Sequence, residues 1–132
     1  DLDHFKSIND TLGHDAGDEA LKHFSKLLAA SVRQEDGAFR YGGEEFVLLL
    51  RNTEGHAALA TTDRLRTALR LRPAKLTSGQ ERFLTFSAGV AAANEANGFL
   101  TEGLLSRADE ALYRAKEAGR NRDEVAVEPQ EG

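Results

Sequence analysis

A chain of 132 residues with 40% hydrophobic and 30% charged side chains has the composition of one globular domain, not of a disordered tail or a pair of domains. Its net charge of -5 excludes a duplex nucleic-acid binder, which needs a basic face, so any phosphate-bearing ligand must be held by a few local cations or a metal. The lack of cysteine excludes disulfides, thiolate metal sites and cysteine catalysis and fits a cytoplasmic setting, and no apolar run reaches membrane-spanning length.

In chain order, Asp1-Leu2-Asp3 reads as the carboxyl end of a strand truncated at its start. Phe5, Ile8 and Leu12 recur at helical spacing and predict a short helix from about His4 to Gly13. After a turn from Gly13 to Gly17, Asp18 and Glu19 open a longer helix, favoured there by its dipole. Its apolar stripe is Leu21, Phe24, Leu27, Leu28 and Val32, with Lys22, His23 and Lys26 facing water. Arg33 to Gly37 turns the chain into a hairpin with Gly42, Gly43, Glu44 and Glu45 at its tip. Phe46 to Leu50 is apolar without alternation, as expected of a strand covered on both faces.

Ala58, Leu59, Thr62, Leu65, Ala68 and Leu69 mark a helix that Pro73 ends, and the polar stretch from Ala74 to Arg82 is expected to be irregular. Residues 83 to 92 alternate, predicting a strand with Leu84, Phe86, Ala88, Val90 and Ala92 on one face and mostly small residues such as Gly89 on the other, where a helix can pack closely. Leu104 to Ala115 gives the last long helix with Gly119 as its cap, Glu124 to Val127 a terminal strand, and residues 128–132 a frayed tail. This order predicts an α+β fold: an antiparallel-centred mixed sheet flanked by helices, its first central strand truncated.

Two glycines followed by two carboxylates at a hairpin tip let a ligand approach the backbone beside concentrated negative charge. A strand end next to that tip brings Asp1, Asp3, Glu44 and Glu45 together, and hard oxygen ligands without cysteine suit Mg2+ or Mn2+. Other residues are individually ambiguous. Asn9 reads as a helix-surface residue and Asp18 as a first-turn acid; Lys116 and Arg120, four apart at a helix end, suit the dipole; Arg33-x-x-Asp36 has the spacing of a surface ion pair. His4, His14, His23 and His56 show no ligand spacing and receive no catalytic role.

Four blocks taken together are specific. They are Arg40-Tyr41-Gly42-Gly43-Glu44-Glu45-Phe46, the run Asp1 to Asp10, Gly13-His14-Asp15-Ala16-Gly17-Asp18, and Arg107 to Tyr113 continuing into Lys116 to Asn121. In order and spacing they resemble the GGDEF domain, the diguanylate cyclase family, in its Gly-Gly-Glu-Glu-Phe variant, as one domain over residues 1–127. The resemblance implies a palm-like fold similar to nucleotidyl cyclases, and condensation of two GTP into cyclic di-GMP with release of two pyrophosphates, in bacterial second-messenger signalling. It implies Asp1, Glu44 and Lys116 as catalytic residues, and Asp1, Glu44 and the Leu2 carbonyl as ligands of Mg2+ or Mn2+, two ions per active half-site. Asn9 and Asp18 would read guanine; Lys6, Lys116 and Arg120 would face the β- and γ-phosphates; Gly42 and Gly43 would lie against the nucleotide. Arg33, Asp36 and Arg64 match a product-inhibition site. The implied partners are a second, antiparallel copy of the domain and an upstream sensory or regulatory domain. A catalytically silent module that binds GTP or cyclic di-GMP is the alternative.

Overall fold

The computed structural model describes residues 1–127, apart from the side chain of Ala96; the expected tail at 128–132 lies outside the described residues. The fold is α+β. Helix α1 (Phe5–Leu12) buries Ile8 and ends at Gly13, whose N–H closes on the Asn9 carbonyl and whose positive φ of 92° turns the chain out of the helix. Helix α2 runs His14–Ser31, four residues earlier than the predicted start. Gly17 lies inside this helix, and the reason is packing: the Asn9 side chain of α1 rests where a Cβ at Gly17 would stand. The predicted stripe of α2 is buried from Leu21 through Leu28, while His23, expected to face water, is half-buried and donates Nε2–H to the Arg72 carbonyl at 2.7 Å.

Strands β1 (Gly37–Arg40) and β2 (Phe46–Leu49) form the antiparallel hairpin, Arg40 opposite Phe46 and Gly37 opposite Leu49. Strand β2 is not covered on both faces: Phe46, Val47 and Leu48 are half-buried and Leu49 is 55% exposed, and among the described residues β2 pairs with β1 alone. Helix α3 (Gly55–Leu71) buries Ala58, Thr61, Thr62, Leu65 and Leu69 and stops at Arg72, ahead of Pro73. The stretch expected to be irregular instead forms a small antiparallel pair, β3 (Ala74–Lys75) with β4 (Glu81–Arg82).

The predicted strand at 83–92 is shorter, β5 (Ala88–Val90), with Leu84 and Phe86 buried ahead of it. It pairs in parallel with β6 (Asp123–Val125), and the crossover between them is α4 (Leu104–Glu117). The expected close packing is present: a Cβ on Gly89 would meet the Ala108 carbonyl and the Leu112 backbone, and Ala111 and Ala115 of α4 are fully buried. Among the described residues the strands make three two-stranded ladders rather than one sheet, and the short segment Asp1–Asp3 joins the hairpin tip to the stretch leading into β5. Leu2 bridges antiparallel to Phe86 and donates its N–H to the Glu44 carbonyl at 3.1 Å. Phe24 of α2 lies under both neighbours, its ring centroid 5.1 Å from Phe46 and 5.9 Å from Phe86. No described helix is long and apolar enough to cross a membrane.

Candidate active site

The site is built where the Asp1–Asp3 segment meets the hairpin tip. Residues 41–45 form that tip; Tyr41 and Gly42 donate their N–H groups to the Glu45 carbonyl at 2.8 and 3.3 Å, and Arg40 folds over to donate to the carbonyls of Gly42 and Gly43. Neither glycine has a positive φ. A Cβ on Gly43 would meet nothing within 4 Å, and one on Gly42 only the Glu45 side chain at 3.7 Å. The fold therefore does not itself demand glycine at either position.

Asp1 lies beside this tip with its side chain only 6% exposed, and Lys116 Nζ from the end of α4 contacts its Oδ2 at 3.0 Å. The Asp1 amino group donates to the Ser87 carbonyl at 2.9 Å.

Asp3, grouped with these acids in the sequence, has a different task. It is buried and already satisfied: Oδ1 accepts from Ser87 Oγ at 2.7 Å, and Oδ2 from Thr85 Oγ1 at 2.8 Å and from the Asn121 N–H at 3.0 Å. Such a carboxylate is spoken for by the protein. Thr85, Ser87 and Asn121 were not singled out in the sequence. The signal available for Asn121 was its place in the last family block; Thr85 and Ser87 offered only the small face of an alternating stretch.

The Asn9 amide lies on Gly17, the residue before Asp18 on α2, and Asp18 is exposed. Lys6 is exposed and 3.9 Å from Asp10. Arg120 is not on the helix face four residues beyond Lys116, as the spacing suggested. Helix α4 ends at Glu117, and a Schellman-type cap follows in which Gly119 N–H reaches the Lys116 carbonyl and Arg120 N–H the Ala115 carbonyl. Arg120 stands in the turn beyond, with φ 64°.

At the other end of the hairpin, Arg33 and Asp36 form a clasp. Asp36 accepts from the N–H groups of Arg33 and Arg51 at 3.0 and 3.1 Å and from Arg33 Nε at 3.3 Å. Arg33 Nη2 also donates to the Arg51 carbonyl and to Thr53 Oγ1. The Asp36 side chain is 1% exposed; that burial would raise its pKa, but the two backbone N–H groups and the Arg33 guanidinium outweigh it and hold the carboxyl below the usual 3.8. Arg64, on α3, donates to Thr61 and to the carbonyl of Ser31, which closes α2 two residues before Arg33.

Asp1, Glu44 and the Leu2 carbonyl are all hard oxygen donors, the type Mg2+ takes, and no described hydrogen bond occupies the Leu2 carbonyl. The donor set fits such an ion. It is not preassembled, for no cluster of three acidic or histidine side chains is gathered for a metal among the described residues, and the Lys116 ammonium sits against Asp1.

Fold and site define an α+β domain in which a strand end meets a glycine-acid hairpin tip. Residues 1–122 match the family described as diguanylate cyclase, GGDEF domain, and the chain belongs to that family. Diguanylate cyclase DgcP of Pseudomonas aeruginosa is 48% identical over 128 residues, 96% of this chain and 18% of DgcP. The solved GGDEF domain of YfiN from Pseudomonas aeruginosa superposes with a TM-score of 0.88 at 34% identity, covering 96% of this chain and 73% of that one. The GGDEF domain of DgcB from Caulobacter crescentus, solved in complex with c-di-GMP, gives 0.84 at 31%, covering 95% and 73%. The chain spans 18–32% of the length of the first curated relatives it matches.

Proposed function

We propose that residues 1–127 are a diguanylate cyclase catalytic domain that condenses two GTP into cyclic di-GMP, and that the protein works in the cytoplasm under an upstream regulatory domain. The observation that carries this reading is the bond from Leu2 N–H to the Glu44 carbonyl, which ties the Asp1-bearing strand end to the glycine-acid tip. One nucleotide lies on each domain, its phosphates over Gly42 and Gly43, its guanine read by Asn9 and Asp18. An amide donor and acceptor beside a carboxylate match the N1–H and 2-amino edge that adenine lacks. Lys116, Arg120 and Lys6 supply the cations for the β- and γ-phosphates that a chain of net charge -5 must place locally.

In each half-reaction the 3'-oxygen of one GTP attacks the α-phosphorus of the other. A P–O bond forms there, the bond to the β-bridging oxygen breaks, pyrophosphate leaves, and the hydroxyl proton is lost. Two such steps close the ring, so two domains must meet antiparallel. Asp1, Glu44 and the Leu2 carbonyl would hold Mg2+ or Mn2+, two per half-site, whose charge when bound acidifies the 3'-hydroxyl and offsets charge on the α-phosphate and leaving pyrophosphate. For that, Lys116 exchanges Asp1 for phosphate oxygens. Arg33, Asp36 and Arg64 form the site at which cyclic di-GMP inhibits, the guanidinium clamping phosphate and the carboxylate accepting from guanine.

One observation favours a second reading, a silent GTP or cyclic di-GMP binding module: Lys116 already neutralises Asp1, and the acids are not gathered as a metal site among the described residues. The experiment that separates the two is cyclic di-GMP formation from MgGTP across a series of protein concentrations, with Glu44→Ala alongside. A cyclase gives product that rises faster than linearly with protein and vanishes in the variant. No product at any concentration, with cyclic di-GMP still bound, establishes the module.

A further inference from the structure

The turn after α4 holds three successive residues at positive φ: Gly119 at 124°, Arg120 at 64° and Asn121 at 48°. Glycine occupies that region freely, and asparagine tolerates it, but an arginine there costs roughly 1 kcal/mol or more and persists only when its surroundings fix it. What fixes it lies on both sides of Asn121. Its backbone N–H is taken by Asp3 Oδ2 at 3.0 Å, and its side-chain Oδ1 accepts from Arg66 Nε at 3.2 Å. Both holders are themselves immobilised. Asp3 is locked by Thr85 and Ser87, and Arg66, on α3, forks onto Asp123 with Nη1 and Nη2 each at 3.0 Å, reaches the Phe86 carbonyl, and lies 4.2 Å above the Phe86 ring. The Arg120 carbonyl is in turn engaged by Arg122 Nε, while the structure gives its guanidinium no protein partner among the described contacts.

We propose that Asp3, Arg66 and Asn121 are positioning residues that hold the Gly119–Asn121 turn in its left-handed form and so aim the Arg120 guanidinium at the terminal phosphates of the nucleotide. This rests on the phosphate role given to Arg120 above. A carboxylate buried one residue from the metal-binding segment and an arginine on α3 thereby act on affinity without touching substrate. The alternative, that the network only stabilises the fold, predicts that loosening it lowers the melting temperature and leaves ligand selectivity unchanged.

The test uses the complete protein and two nucleotides that cannot condense for want of a 3'-hydroxyl, 3'-deoxy-GTP and 3'-deoxy-GMP. Their affinity ratio reads only the contribution of the β- and γ-phosphates. Asn121→Gly keeps φ 48° accessible and removes the acceptor for Arg66, avoiding the unpaired Asp123 that Arg66→Ala would leave. Expected is a loss of about tenfold in 3'-deoxy-GTP affinity, the size of one charge-assisted hydrogen bond, with 3'-deoxy-GMP binding unchanged and Asn121→Asp, which restores an acceptor, close to the parent. If the parent prefers the triphosphate and Asn121→Gly keeps the full preference, the positioning role is wrong while the phosphate site stands. If the parent binds both equally, the phosphate assignment of Arg120 fails and the inference with it.

Discussion

Replacing Gly43 by alanine separates a glycine kept for the fold from one kept for a ligand. A Cβ at Gly43 has open space around it and no left-handed φ to oppose it, so the substitution costs the folded state nothing and removes backbone freedom from the unfolded chain. That effect is worth about 0.4–1 kcal/mol in favour of the fold. With 132 residues and roughly 2.1 cal/mol/K per residue, the unfolding entropy is about 0.28 kcal/mol/K, so the melting temperature should rise by about 1.5–3.5 °C. Gly89→Ala is the contrast, because its methyl would drive into the Ala108 carbonyl and the Leu112 backbone; overpacking of roughly 1–3 kcal/mol lowers the melting temperature by about 4–11 °C. Thermal unfolding followed by circular dichroism, together with cyclic di-GMP production from MgGTP, gives both readouts on each variant. Gly43→Ala should be as stable as the parent or more so, and much less active. A Gly43→Ala protein that melts early, or one that turns over GTP like the parent, would refute the argument that the tip glycines make room for nucleotide.

Three further outcomes follow from the geometry. Phe24→Ala removes the ring shared by Phe46 and Phe86 and should cost about 3–5 kcal/mol, measured by urea denaturation; a loss below 1.5 kcal/mol would mean that the hairpin does not depend on that ring. Because the folded pKa of Asp36 lies below its ordinary 3.8, its stabilisation is fully present above that pH and is lost as pH falls through the folded value. The midpoint of urea unfolding should therefore drop on acidification below pH 4 less steeply in Asp36→Asn, and equal slopes would count against the clasp. Lys116→Met leaves the Asp1 carboxylate buried without its cation, so added Mg2+ should raise the melting temperature of this variant more than that of the parent; identical shifts would show that lysine and metal do not compete for Asp1.

Helices and hairpin were legible in the sequence because their signals are local. The spacing of Leu21, Phe24, Leu27 and Leu28 can be satisfied in one way only, and all four are buried. Gly17 misled because glycine marks both turns and close approaches, and one sequence cannot tell them apart; the deciding atom, in Asn9, belongs to another helix. The run Phe46 to Leu50 misled for a related reason, since an unbroken apolar stretch reports hydrophobicity and says nothing of how many neighbours the strand has. At the site, the acids, glycines and cations could be named from their motifs. The division of labour between Asp1 and Asp3 could not, because it depends on Thr85, Ser87 and Asn121 arriving from more than 80 residues away.

The Arg33–Asp36 clasp also sets a threshold. The guanidinium serves Asp36, Arg51 and Thr53, so on the proposed role a cyclic dinucleotide that inhibits through Arg33 would first have to displace those bonds. Each 1.4 kcal/mol by which the closed clasp is favoured raises the half-inhibiting concentration about tenfold, with no change in the contacts finally made. On the proposed inhibitory role, the dinucleotide level at which inhibition sets in would be adjustable at Thr53 or at the 51 carbonyl, outside the dinucleotide's own contacts, as one adjusts the set point of a thermostat without rebuilding its sensor.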